Sequence, residues 1–351
     1  MIATPHHLTA LLARLKQVPW VALDTEADSL HAYPEKLCLI QISYEGHDDL
    51  VDPLASLDLA PFWAALRGHE LIFHGADYDL RLIRKASGFV PDKIFDTMLA
   101  SRLLGAVRFG LSDLLAEHLG VTLDKGSQKA DWARRPLTEK MEAYARNDTR
   151  YLKPLSDILR RNLSEKGRLP WLEECCTRLI ADCAKPDEID PDAIWRVKGS
   201  FRLKRPALAV LRELWRWREE EAIASNRPPF FVLSHETLVA VAEAAVLRHH
   251  FHNLLPRRFS DHRRQGVVDA VARGLAVPPA EYPAIPRTHR RRSTDEELRR
   301  FDQLQKHRDA RAKELGIDPT LIAPRATLLA LAEDWDKAQA GLMNWQRALL
   351  V

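Results

Sequence analysis

The chain has 351 residues, 46% of them hydrophobic, with 52 Lys and Arg against 49 Asp and Glu and four cysteines. No run approaches the roughly 18 unbroken apolar residues of a membrane span, and so few cysteines make no disulfide framework. The start MIATPHHLTALLARLKQ lacks the basic region and small-residue cleavage site of a signal peptide, so a cytoplasmic, membrane-free protein of two or three domains is expected.

Charge divides the chain. Residues 1–165 carry 20 Lys and Arg against 23 Asp and Glu, and residues 166–351 carry 32 against 26. An acidic front and a basic back suit a protein that gathers cations in one part and polyanions in the other.

The first half alternates between strand and helix. WVALDTEADSLHAY opens with the apolar strand Trp20 to Leu23 and breaks into Asp24, Glu26 and Asp28. LCLIQISYEG (37–46), DDLVDP and ELIFHGA (70–76) follow as strands, the last running into a helix from Asp77. Helical periodicity returns at 97–104, 111–119 and 138–163, with a polar connector, KGSQKADWARRPL, at 125–137. The pattern is α/β. The second half reads as helices at 206–224, 234–247, 265–273, 294–315 and 325–349, separated by Pro-rich joints. The joint at 277–292 predicts a linker between two small helical modules, similar enough to suggest an old duplication.

Acids at the end of a buried strand need a partner. Residues i and i+2 of a strand share a face, so Asp24 and Glu26 converge, and a divalent cation is the simplest compensation for two like charges. An all-oxygen acidic site suits Mg²⁺ or Mn²⁺. Asp79 lies in the first turn of the helix after the fourth strand, where stabilisation of the helix dipole is the plainer reading. Tyr144 and Asp148 stand one helical turn apart on one face. Two look-alikes read differently: Asp295 and Glu297 belong to a capping box begun by Ser293 or Thr294, and Tyr44 with Asp48 straddles Gly46 at a strand end.

Taken in order, DTE (24–26), HGADYDL (74–80) and YARND (144–148) resemble the three exonuclease motifs of the DEDD superfamily, tyrosine subtype. The surrounding YPEKLCLIQIS, FDTMLASRLLG and WARRPLTEKMEAYARNDTRYL resemble the ribonuclease D family, over about the first 165 residues. That resemblance implies a ribonuclease H-like α/β domain, a mixed sheet flanked by helices, followed by two small all-α modules. It implies a 3′→5′ exoribonuclease that releases 5′-mononucleotides from RNA ends, tRNA precursors first among them. Asp24, Glu26, Asp79 and Asp148 would hold two divalent cations, Mg²⁺ or Mn²⁺, with Asp24 bridging both. One ion activates the attacking water and the other, about 4 Å away, stabilises the leaving oxygen. Tyr144 is the fifth functional residue; a phenol of pKa about 10 orients water rather than acting as a full base.

The stretch LRELWRWREEEAIASNRPPFFVLSHETLVAVAEA (211–244) resembles an HRDC domain, and residues 305–350 resemble the second helical module of ribonuclease D. The expected domains are an exonuclease domain at 1–167, a helical connector at 168–203, an HRDC domain at 204–283 and a second HRDC-like domain at 284–351. Phosphate contacts are expected from Lys125, Lys129, Arg134 and Arg135 before the third motif. In the helical modules they are expected from Arg257, Arg258, Arg263, Arg264 and Arg290 to Arg292. Trp132 reads as a packing anchor and His74 as a structural hydrogen-bonding residue. His249, His250, His252 and His262 lack a ligand register, and Cys175, Cys176 and Cys183 lack zinc-site spacing. Two rival readings stand beside the monomeric exoribonuclease: a DNA exonuclease, since the acids do not distinguish the sugars, and a non-catalytic RNA-binding scaffold.

Overall fold

A computed structural model describes residues 1–124, 126–186, 188, 190–285 and 293–351. Lys125, Arg290 to Arg292 and the end of the 277–292 linker lie outside the described residues. By contact the chain forms two units, Met1–Ala27 with Leu37–Lys185 and Arg291–Val351, and Asp28–Lys36 with Pro186–Arg290.

The first unit is built on a five-stranded mixed sheet. In chain order its elements begin with α1 (Pro5–Leu15), β1 (Trp20–Ala27), β2 (Leu37–Tyr44), β3 (His47–Val51) and α2 (Ala60–Leu66). They continue with β4 (Glu70–Phe73), α3 (Asp77–Ser87), β5 (Lys93–Asp96) and α4 (Thr97–Leu103). Then come α5 (Leu111–Leu119), α6 (Glu139–Arg150), α7 (Leu152–Glu165) and α8 (Leu169–Ala184). The strands lie in the order β3-β2-β1-β4-β5. β1 pairs antiparallel with β2 and parallel with β4. Every residue of β2 is buried, as its unbroken apolar run demands of a strand covered on both faces. Gly46, at φ +74°, makes the tight turn into β3.

β5 is a strand the sequence did not announce, since four residues of KIFD are too short for a period to show. The helix expected at 138–163 is two helices, α6 and α7, broken at Tyr151 (φ −99°, ψ 0°). The cause is Pro154, which has no N–H to bond residue 150 and fits only a first turn.

The second unit holds α9 (Arg205–Ser225), α10 (Pro229–Val232), α11 (His235–Val246) and α12 (Asp261–Ala276) around a core that includes Trp195, Leu211, Leu214 and Val241. The segment between β1 and β2 belongs to it: Tyr33 packs on that core and donates its hydroxyl to Glu219 at 2.5 Å.

The last helices, α13 (Asp295–Leu315), α14 (Pro319–Ile322), α15 (Arg325–Glu333), α16 (Trp335–Ala338) and α17 (Asn344–Ala348), belong to the first unit. The single helix expected at 325–349 is divided because Asp334 is extended (φ −149°, ψ 96°) and its side chain accepts from Lys337 N to start α16. Thr294 and Glu297 form the expected capping box, at 3.2 and 2.8 Å.

The two helical modules repeat one device. Arg218 in α9 donates to Leu233 O and pairs with Glu219, and Arg308 in α13 donates to Ala323 O and pairs with Asp309. Each acceptor lies 15 residues beyond its arginine.

Phe301, Ile322, Leu328 and Trp345 join the same apolar core as Leu71, Phe73 and Leu159. Trp171 of α8 stacks on Trp345 at 4.9 Å. Arg168, 6% exposed, donates to Leu103 O at 2.8 Å and Leu315 O at 2.7 Å. Arg168→Ala leaves both carbonyls without that donor and is expected to cost about 3 kcal/mol in a denaturant titration.

Candidate active site

The site forms where β1 outruns its parallel neighbour. β4 pairs with β1 only from Trp20↔Glu70 to Ala22↔Ile72. Beyond that point the Thr25 N–H has no strand to bond, and Asp79 from α3 takes it: Oδ1 accepts from Thr25 N at 3.1 Å and Thr25 Oγ1 at 2.5 Å. Asp24 and Glu26 alternate past Thr25 onto the other side, and Asp148 reaches them from α6. One oxygen from each of Asp24, Glu26 and Asp148 lies within 4.8 Å of the other two. Asp79 is not part of that trio; it adjoins it, with one oxygen committed to Thr25.

Burial and mutual repulsion raise all four acids. Asp24 is pushed up to about 8 by desolvation and Asp148, and Glu26 to about 10 by desolvation and then Asp24. Asp148 rises to about 7 through desolvation and Asp79, while Asp79 rises well above the usual carboxylate range through desolvation and Asp24. Burial and the neighbouring carboxylates also raise Tyr144, so its phenol keeps its proton. This donor set, all oxygen and crowded with like charge, fits a hard divalent cation. Among the described residues it is the one such cluster, and His249, His250, His252 and His262 form none.

A cavity of about 420 Å³ opens over Asp24, Glu26 and Asp148 and is bounded as well by His74, Gly110, Ser112 and Gln128. Two supporting residues carried no functional expectation. Gln41 is the cross-strand partner of Asp24, fully buried, with neither amide atom hydrogen-bonded. Asp96 is 1% exposed and accepts from four backbone N–H groups: Gly75 and Ala76 in the turn before α3, and Met98 and Leu99 at the start of α4. It fixes the turn that delivers Asp79. The signal was present in FDTML, an acid directly before a helical run.

Asp28 takes no part, being buried and bonded to Lys36 through its N–H at 2.9 Å and its ammonium. The Tyr44 and Asp48 look-alike is also spent elsewhere, Tyr44 on Asp49 and Asp48 on Ser43 and Arg150.

Among the expected phosphate contacts, two are already engaged within the protein. Arg135 is clamped on Asp52 at 2.7 Å and on the carbonyls of Cys38 and Trp132, so it holds the connector to the sheet. Arg263 is paired with Glu221 at 2.7 Å. Both charges are already neutralised by a carboxylate. Arg264 donates to Pro256 O and Arg257 O, while Lys129, Arg134, Arg257 and Arg258 are exposed. Trp132 is 1% exposed in the apolar cluster with Leu39 and Leu50, a packing anchor as expected. No disulfide forms among the described residues.

Residues 1–164 match the 3′-5′ exonuclease family and residues 207–245 the HRDC domain. The chain is 32% identical over 342 residues to the ribonuclease D of Jannaschia sp., covering 93% of this chain and 87% of that one. It is 33% identical to the ribonuclease D of Pseudomonas paraeruginosa, covering 89% and 84%. The crystal structure of Escherichia coli RNase D, an exoribonuclease involved in structured RNA processing, matches with a TM-score of 0.75 at 25% identity, covering 100% of this chain and 98% of that one.

Two outcomes follow from the site. Carboxyls raised above their unfolded values stabilise the fold below about pH 4 and lose that contribution progressively until the pH has passed their folded values of about 7 to 10. Melting temperature of the metal-free protein is therefore expected to fall between about pH 5 and about pH 9, with Mn²⁺ restoring more at the upper end. Asp96→Ala, which removes a cap and the acceptor for four amides, is expected to cost about 3 kcal/mol by chemical denaturation.

Proposed function

Because the chain belongs to the ribonuclease D family and is thereby a 3′→5′ exoribonuclease, we propose that it trims the 3′ ends of tRNA precursors one nucleotide at a time by two-metal hydrolysis. The observation that carries this reading is the convergence of Asp24, Glu26 and Asp148 oxygens within 4.8 Å. Bound Mg²⁺ or Mn²⁺ would supply an activated water, charge neutralisation at the phosphate and stabilisation of the leaving oxygen.

The chain's own groups do the rest. Asp24, Glu26 and Asp148 would hold the cations, and Asp79 would complete the set with the oxygen that Thr25 does not use. The helix turn between Tyr144 and Asp148 fixes the phenol against that carboxylate. Tyr144 retains its proton, and its oxygen accepts a hydrogen bond from the attacking water, aiming it along the line of displacement. The cavity takes the departing 5′-mononucleotide. In the helical modules, exposed cations such as Arg257 and Arg258 neutralise RNA phosphates, a contribution that weakens with added salt.

The test uses 5′-labelled RNA and matched DNA, with Mn²⁺ and with EDTA. A ladder growing from the 3′ end of RNA, absent in EDTA, is expected. Asp24→Asn should abolish it, and Tyr144→Phe should lower kcat by roughly a hundredfold with the Mn²⁺ dependence unchanged. Full shortening by Asp24→Asn in saturating Mn²⁺ would end the mechanism.

A further inference from the structure

His74 follows β4 directly and bounds the same cavity as the acids. Its two ring nitrogens have different surroundings. Thr97 Oγ1 donates its one hydrogen to Phe73 O at 3.0 Å, so only lone pairs remain for its 2.9 Å contact with His74 Nδ1. Nδ1 must then carry the proton, and in the neutral ring Nε2 is a bare acceptor. Burial lowers the basicity of the ring, against an opposing pull from Asp96, and so favours that neutral form. Nε2 has no hydrogen-bond partner among the described residues.

We propose that His74 Nε2 accepts a hydrogen bond from a ribose hydroxyl of the 3′-terminal nucleotide, making His74 a determinant of which sugar end is removed. The chemistry of the ligand follows from what a bare acceptor can meet. Phosphodiester oxygens carry no hydrogen at neutral pH, so the backbone is excluded. Base edges offer different donors in each nucleotide, whereas the sugar hydroxyls are donors that every ribonucleotide brings. A cavity of about 420 Å³ is of the size that holds a small ligand. Thr97 acts behind the ring as a positioning residue, because its bond to Phe73 O sets the tautomer.

This inference rests on the exonuclease reading of the site, and one experiment separates the two. Three RNAs of one sequence, ending in a ribonucleotide, a 2′-deoxynucleotide or a 3′-deoxynucleotide, are digested with Mn²⁺ by the native protein, His74→Asn and His74→Gln, with kcat and KM resolved. Asn keeps an amide N–H where Nδ1 stands and has nothing at Nε2, while Gln reaches the Nε2 position with an oxygen. The native protein is expected to favour the ribonucleotide end over one deoxy end by about tenfold in kcat/KM. His74→Asn should erase that ratio and His74→Gln recover part of it. A His74→Asn variant that slows all three ends alike and keeps the native ratio would overturn the proposal, as would a native protein indifferent to the three ends. If the native protein shortened none of the RNAs, the exonuclease reading would fall, and this inference with it.

Discussion

The structure depends on holding like charges together. Three carboxylates with oxygens inside 4.8 Å, and a fourth beside them, repel one another in a partly desolvated cleft. Water would screen that repulsion if the side chains could swing outward. The fold denies them that freedom. Asp24 and Glu26 are locked in a strand paired there with β2, Asp148 in a helix packed across the sheet, and Asp79 by two bonds to Thr25. A cluster that is unfavourable by itself is suited to a divalent cation, which would relieve the repulsion already built in.

Much of the surrounding charge serves that arrangement without touching substrate. Asp96 gathers four amides at the junction of β4, α3 and α4, so the turn carrying Asp79 cannot drift from β5. Arg135 ties the connector before α6 to Asp52 and β2, which steadies the helix bearing Tyr144 and Asp148. Arg168 joins the end of α4 to the end of α13, two segments far apart in sequence within one core. Buried and half-buried arginines of this kind satisfy several carbonyls at once, which a lysine's point charge does less well.

His74 and Gln41 show how a neutral polar group is placed among charges. Each sits at the margin of the acids, where a charged neighbour would add to the repulsion or compete with a cation. The imidazole is kept neutral by burial and oriented by Thr97, and the amide lies across the sheet from Asp24.

Several features needed only the sequence. The acids follow the apolar run Trp20 to Leu23, although β1 itself runs on to Ala27, the i, i+4 spacing of Tyr144 and Asp148 places them on one face, and the capping box at Thr294 is local chemistry within one helical turn. These read correctly because strand alternation, helix period and caps act over a few residues. Tertiary structure decided the rest. Whether Asp79 merely favoured its helix dipole or entered a site depended on β4 stopping short and exposing the Thr25 amide, an event 54 residues away in the chain. Arg135 looked available until Asp52, 83 residues distant, was found beside it. The free acceptor on His74 exists only because Thr97 turns its hydrogen elsewhere. Long-range pairing chooses which charges are spent and which remain, and no local period encodes that choice.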